Sequence, residues 1–552
     1  MPHRSVRSWS DRRIAALLFV GAMAMYGFGN GRTSLWDRDE PRFAQPAKEM
    51  IAADTLYPWI VPHYNGEPFF HKPPWCYWQI AAAYKLLGVS EFAARLFSGL
   101  WAAGAVVLVF FFSRRWGHQA AIAAALATAT ALLTVVLAKL AIADATLLFF
   151  TLAAVFALWR IIEGGNSAAN RFALWTALGI AGLIKGPAVL VVIVPLAIGF
   201  AIVDRDRSWL RRMGLAWGPA LALAIALPWF VTADRFAEGA LTERFVGYDI
   251  IQRILKPAEG HRGFPGYYVI SGLIGLWPWS ALLVPLGLTV WRLRSERVVR
   301  FAFCWLVAPT LVLELMATKM VHYWLPMVPA YALLLGLALQ RWRSDWPAIW
   351  RRWVRPVQVA ALLGYALLAA VICAASRNEH AGPLADAFLP AIPLLLLLPA
   401  ALFLIRDPFR LVGGLAAVAA LIAAVLSWTA ATVEPYKLTH TAAVEMKQIG
   451  GPQALYALAG WDEESMIFYL HDGKQDVRIV APDALAKLPP DTPVVAAVRA
   501  DRLPAGGIEG FQEIARVNGY DYTRGKWRQV VILQRPGKGE TSPSTTKASG
   551  AS

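Results

Sequence analysis

Carboxylates, arginines, a lysine and a histidine crowd into Asp37-Arg38-Asp39-Glu40-Pro41-Arg42 and, further along, Phe70-His71-Lys72-Pro73-Pro74. Both stretches lie between one apolar run and the next, and ionisable groups at a membrane boundary are costly unless paired, hydrated or used. Displacement of a lipid-linked phosphate is the chemistry such a set suits. A leaving phosphate gains charge as its bond breaks, so fixed cations lower the barrier. Lys72, Arg42, Arg262 and Lys319 are the candidates for that role. Arginine grips phosphate bidentately, and lysine supplies a compact charge. Asp39 and Asp144 are the candidate catalytic carboxylates, placed to take a proton from an acceptor or to orient it. Each stands at the end of an apolar run, and Asp144 closes Lys139-Leu-Ala-Ile-Ala-Asp144, where a charge is otherwise unwelcome.

Plainer readings run alongside. Asp39, Glu40 and Pro41 also suit a helix N-terminus, where acids favour the dipole and proline fits the first turn. Pro73-Pro74 most simply ends an extended loop. Lone boundary lysines such as Lys85 and Lys185 read first as snorkelling side chains. His71 and His261 could join a carboxylate in holding a divalent metal, but two dispersed histidines are a weak pattern. No cofactor is required by the residues themselves.

The elements that must position these groups are membrane spans. The chain has 552 residues, 57% of them hydrophobic, with 24 Trp and only 16% charged. That is a multi-spanning membrane protein with room for one soluble domain. Apolar runs near 14–30, 92–113, 119–137, 142–162, 171–184, 186–203, 213–232, 266–291, 299–317, 321–339, 356–376, 386–405 and 411–432 predict thirteen spans. The pair 171–184 and 186–203 is the weakest, because only Lys185-Gly186-Pro187 divides it; it reads as two spans or as one broken element.

The formal charge of +16 does not point to nucleic acid, because the arginines cluster in short loops between apolar runs. Arg114 and Arg115, Arg205 and Arg207, Arg297 and Arg300, and Arg351 and Arg352 all fall in alternate connections, as cytoplasmic loops do. This puts the N-terminus inside, the C-terminus outside, and the candidate site residues on the outer face. The first run has the basic lead of a signal peptide, but no convincing cleavage site follows it. Three cysteines without a CxxC pair give no disulfide framework.

Beyond residue 432 the character changes. Strand-like runs at Ala454–Ala459, Val477–Val480, Val494–Val498 and Val530–Leu533 alternate with helical patterns near 439–449 and 464–471. The expected fold is an all-α polytopic membrane bundle of about thirteen transmembrane helices (residues 1–432), a C-terminal soluble α/β domain (433–536) and a disordered tail (537–552).

The pattern Asp39-x-x-Arg42, Asn65-Gly66, Phe69-Phe70-His71-Lys72-Pro73-Pro74 and Gly88-Val-Ser-Glu-Phe-Ala-Ala-Arg95 resembles bacterial polytopic glycosyltransferases of the C-type fold. The resemblance is to the lipid A aminoarabinose transferases and protein mannosyltransferase-like relatives. His261-Arg-Gly-Phe-Pro-Gly-Tyr-Tyr268 is similar to that family's long periplasmic loop, and Lys319-Met-Val-His322-Tyr323-Trp-Leu-Pro326 to its Lys-x-x-x-Tyr-x-x-Pro segment. The likeness covers roughly residues 14–340 and implies a polyprenyl-phosphate sugar donor, periplasmic chemistry and inversion at the anomeric carbon. By motif, Asp39 becomes the principal acid/base, Arg42 stands beside it, Lys72 holds the phosphate and Asp144 is a second site carboxylate. Glu40, Tyr268, His322 and Tyr323 become substrate contacts. His71 departs from the family's usual Glu before Lys-Pro-Pro.

The resemblance implies an enzyme of the bacterial inner membrane, with N-terminus cytoplasmic and C-terminal domain periplasmic. Its implied partners are a polyprenyl-phosphate-linked sugar, lipid A or another envelope acceptor, and the surrounding lipids. Transfer to protein hydroxyls or another envelope glycan is the second enzymatic reading. A lipid or solute transporter is the alternative from another class; it predicts charges along a path through the bundle, and usually repeat symmetry, of which the chain shows none.

Overall fold

The computed structural model describes residues 3–164, 168–244, 263–377, 404–473 and 475–537, with scattered positions between 378 and 403. Most of the chain is helical. Among the described residues, seven helical runs are long and apolar enough to cross a membrane, or up to nine if two bent pairs each count as one span. The expected count of thirteen is therefore not reproduced. The run predicted at 119–137 is two helices meeting at 58°, and the one at 266–291 is bent by 107°. Trp277-Pro278 sits in that second bend, where proline cannot continue the hydrogen-bond ladder. Helices His3–Gly27 and Arg355–Ala375 cover two further predicted runs. The run at 386–405 lies almost entirely outside the described residues.

Helix Asp144–Ile162 serves as a ruler for the bundle, because 19 residues at 1.5 Å each span about 28 Å. At its Asp144 end, Lys185 Nζ lies 2.8 Å from Asp144 Oδ1. At its Ile162 end, Arg297 reaches both the Ile162 carbonyl (3.3 Å) and Asp204 (2.6 Å). Residues 168–185 therefore cross toward the Asp144 end, and 190–203 cross back. The continuous helical run from Ala168 to Val203 is a hairpin of two passes broken at Lys185-Gly186-Pro187. Gly186, with φ of 59°, and Pro187 make the reversal, since few residues with a Cβ adopt that conformation.

The same ruler sorts the charges. Arg115 pairs with Glu163, and Arg114 with Asp11 at 2.7 Å, at the Ile162 end. Helix His3–Gly27 then runs to the other end, where Lys139 Nζ donates to the Tyr26 carbonyl in its last turn at 3.0 Å and to the Phe28 carbonyl just beyond it at 2.7 Å. A lysine there satisfies orphan acceptors and complements the helix dipole. Alanine and glycine let the helices close in. Helix His118–Thr130 is buried along most of its length, and a Cβ at Gly336 would meet the Ala120 carbonyl at 2.5 Å.

The C-terminal unit follows helix Pro408–Thr429 and sits at the Asp144 end. After a small hairpin in the first loop (β1 His63–Tyr64, β2 Glu67–Pro68), the remaining strands form one sheet: β3 Leu455–Ala459, β4 Arg478–Val480, β5 Val494–Arg499, β6 Gln512–Asp521 and β7 Lys526–Arg535. Their order is β4-β3-β5-β7-β6, with β3 parallel to β4 and β5, and β7 antiparallel to β5 and β6. β5 is buried on both faces, as its apolar run Val494–Val498 demands. On one face Leu458, Val495 and Ile532 pack on helices Leu438–Gly450 and Glu464–Leu470; on the other, Ala457, Ala496 and Val531 pack on Leu485 and Ile508. Four strands and both helices lie where the sequence pattern predicts them. β6 does not, because its polar edge sequence carries little of that pattern.

Candidate functional site

Asp39 opens helix Asp39–Ala52, and Arg42 follows one turn later on the same face. Lys72 leaves the first loop where Phe69 and His71 stack at 4.6 Å and 20°, and its Nζ donates to the His71 carbonyl at 2.9 Å. Asp144 is the first residue of its helix and Lys185 the last of the antiparallel neighbour. The acid therefore sits at a positive dipole end and the lysine at a negative one. His322 and Tyr323 come from the turn Val321–Met327, their rings edge-on at 4.8 Å.

These groups converge. Asp39, Arg42, His71, Lys72, Asp144, Lys185, His322 and Tyr323 line one small polar cavity of about 100 Å³. Lys72, Asp144, Lys185, His322 and Tyr323 also line the end of a second cavity of about 920 Å³. Its other walls are apolar, with Val191, Val194, Pro195 and Ile198 facing Leu311 and Val312. A long greasy groove thus opens onto a compact set of charges. The arrangement can hold an amphiphile by its tail and present its anionic head to cations, with two carboxylates alongside.

Lys185 is the residue that sequence reasoning undervalued. Its ammonium pairs with Asp144 and lies 5.1 Å from the Tyr323 ring centroid, with only 13% of the side chain exposed. A snorkelling lysine would reach water. Its signal was the Lys-Gly-Pro break between two apolar runs. Arg244 was also missed; its Nη2 lies 3.4 Å from His71 Nε2.

Three other candidates are engaged elsewhere. Glu40 is buried, and its oxygens take Arg95 Nε (2.8 Å) and Nη2 (2.6 Å) and the backbone N–H groups of Trp36 (2.9 Å) and Ala141 (2.7 Å). Arg95 also donates to the carbonyls of Asn30, Thr33 and Ser34. The pair is a brace for the first loop, with no carboxylate oxygen left for a substrate. Lys319 pairs with Glu314, and neither cavity is lined by it. Tyr268 accepts a hydrogen bond from the Met320 N–H at 3.2 Å and so steadies a residue of the polar cavity from behind. His261 and Arg262 lie outside the described residues.

Sequence reasoning gave no role to Asp37, which ties the C-terminal unit to the first loop. Asp37 Oδ1 accepts from the Ser465 N–H at 2.6 Å, and Oδ2 from Thr439 (3.0 Å) and Tyr522 (3.1 Å). Burial raises the Asp37 carboxyl above the usual carboxylate range, against the pull of those bonds. Burial, with Asp37 and Asp521 nearby, pushes Glu463 up to about 7. Asp37, Glu463 and Glu464 form the group of three that could hold a metal among the described residues. Arginines already face it, however: Arg42 on Glu464 at 2.6 Å and Arg38 near Glu463 at 3.8 Å.

Residues 71–231 match the model of the dolichyl-phosphate-mannose-protein mannosyltransferase family. An undecaprenyl phosphate-alpha-4-amino-4-deoxy-L-arabinose arabinosyl transferase of Pseudomonas aeruginosa is 29% identical over 60% of this chain and 60% of its own. One from Pseudomonas fluorescens is 32% identical over 58% and 59%. The aligned part thus spans about 60% of the length of these relatives. The crystal structure of ArnT from Cupriavidus metallidurans bound to undecaprenyl phosphate superposes with a TM-score of 0.78 at 23% identity, covering 94% of this chain and 97% of that one. Its apo state gives 0.75. The chain is similar in sequence to these transferases and shares the fold of that structure, as the first-loop motif implies.

Proposed function

We propose that this chain is a membrane glycosyltransferase that moves a sugar from a polyprenyl phosphate to an envelope acceptor, most specifically 4-amino-4-deoxy-L-arabinose to lipid A. The observation that carries the reading is the shared wall of the two cavities, where Lys72, Asp144, Lys185, His322 and Tyr323 meet an apolar groove. The isoprenoid tail would lie along Val194, Ile198 and Leu311, and the phosphate would face Lys72 and Arg42. The sugar would then occupy the polar cavity between Asp39 and Asp144.

Transfer breaks the bond between the anomeric carbon and the phosphate oxygen, and the bonding pair leaves with the phosphate. The acceptor oxygen attacks the opposite face, which inverts the centre. Fixed cations stabilise the charge gathering on the leaving group. If the acceptor is a hydroxyl, Asp39 takes its proton. If it is a lipid A phosphate, the nucleophile is already largely ionised near neutral pH. Asp39 then orients the donor or binds an amino group on its sugar. Charges that gather where two cavities meet at one end favour a transferase over a transport path.

The placement of charge supports an inner-membrane location with the arginine-rich Ile162 end cytoplasmic. The first helix starts at that end, near Asp11, and the C-terminal unit docks at the other. Opposite sides require an odd number of passes, and thirteen, with soluble residues 433–536 periplasmic, fits them. The test is sugar transfer in proteoliposomes from a polyprenyl-phosphate donor, with and without lipid A, by wild type and Asp39→Asn. Transfer to lipid A that the variant loses supports the reading; turnover with other acceptors alone moves the substrate to protein or another glycan. A folded wild type that turns over no polyprenyl-linked sugar would sink it.

A further inference from the structure

We infer that Glu464, in the C-terminal unit, is a positioning residue for Arg42, so that the site in the bundle is completed by a helix more than 400 residues away in sequence. The inference rests on the glycosyltransferase reading and names a part of it that no motif carries. Arg42 lines the polar cavity. Its Nε and Nη2 both donate to Glu464 Oε1, at 2.9 and 2.6 Å. Two bonds from one guanidinium fix its plane as well as its place, which a single contact would not do. Without them, a long and flexible side chain would sample several positions at the mouth of the site.

The carboxylate is itself held. Glu464 is the first residue of helix Glu464–Leu470, whose next backbone N–H, from Ser465, donates to Asp37 at 2.6 Å. Tyr64 donates to the Glu464 carbonyl at 3.2 Å, and the Leu35 N–H donates to Tyr469 at 2.8 Å. Lys48 Nζ, on the same helix as Arg42, donates to the Phe468 carbonyl at 2.9 Å. Helix Glu464–Leu470 is thus pinned at its start, middle and end to the segment that carries Asp39 and Arg42. A rigid clamp of this kind is what keeps a binding group within a few tenths of an ångström of its working position.

A plain adhesive role for the ion pair predicts lost stability and nothing specific to the donor. The experiment therefore compares Glu464→Gln, Glu464→Asp, Arg42→Ala, the double variant Arg42→Ala/Glu464→Gln and the control Val531→Ala, in proteoliposomes with a synthetic polyprenyl-phosphate sugar. Expected are a roughly tenfold rise in donor KM for Glu464→Gln with kcat changed less than twofold, and a smaller rise for Glu464→Asp. Val531→Ala, in the core of the C-terminal unit on the face away from helix Glu464–Leu470, should lower thermal stability and leave donor KM unchanged. The double variant should match Arg42→Ala alone, because Glu464 acts through Arg42. An unchanged KM in Glu464→Gln, or an equal further loss in the Arg42→Ala background, overturns the inference while the transferase reading stands. Absence of turnover by wild type removes both.

Discussion

Lys185 and Asp144 meet at 2.8 Å at the junction of the apolar groove and the polar cavity, one closing its helix and the other opening the neighbour. Neither charge has much access to water, so each is the condition for the other. Removing one partner of a buried pair typically costs about 3–5 kcal/mol, whereas removing both can be nearly neutral. Lys185→Met should therefore give a poorly folded protein. The double variant Asp144→Asn/Lys185→Met should recover its monodisperse yield and melting temperature in detergent. It should nonetheless remain inactive in sugar transfer, by at least about 100-fold, if both groups also face the substrate. Recovery of activity together with the fold would make the pair purely structural.

Glu40 and Arg95 allow the opposite test. Glu40 stands next to Asp39 in sequence, but its oxygens are spent on Arg95 and two backbone amides. Glu40→Gln should leave a buried guanidinium without its counter-charge and lower stability by about 3–5 kcal/mol. Whatever fraction folds should turn over with the wild-type donor KM. A stable protein with a raised KM would instead return Glu40 to the substrate.

The contrast between these neighbours shows what was legible. Asp39, Arg42, Lys72 and Asp144 could be read because their types and spacing make chemical sense within short segments. That Glu40 is a brace could not, because Arg95, Asn30 and Ala141 come together only in the fold. Lys185 looked like a boundary lysine until the hairpin at Gly186 placed it on Asp144. The strands β3, β5 and β7 were legible as apolar runs, while β6, polar and at the sheet edge, was not. Asp37 and its partners Thr439, Ser465 and Tyr522 lie 402 to 485 residues apart, and no local pattern encodes such a contact.

The groove makes a prediction about chain length. Val194 lines the apolar cavity and is 44% exposed, so a larger side chain there enters the groove without rebuilding the core. Val194→Trp should raise KM at least about tenfold for a long polyprenyl donor, because each displaced methylene forfeits about 0.8 kcal/mol of burial. A donor with one or two isoprene units should be much less affected. Equal losses for both donors would place the tail elsewhere.

Glu463 predicts how the docked C-terminal unit responds to pH. Burial, then Asp37 and Asp521, push its carboxyl from the ordinary 4.5 to about 7, against the opposing charge of Arg38. The charge of Glu464 contributes to the same rise. Between those two values the folded protein keeps a proton that the unfolded chain has released. The stabilisation is thus complete below about pH 4.5 and is lost as pH rises through about 7. The amount at stake is at most about 3 kcal/mol. Glu463→Gln mimics the protonated form at every pH. Its melting temperature should match wild type near pH 5, exceed it at pH 8 and lack the wild-type decline between them. A variant less stable than wild type at pH 8 would mean that the ionised Glu463 holds the unit in place through Arg38, and that the acid cluster works as a salt bridge rather than as a shared proton.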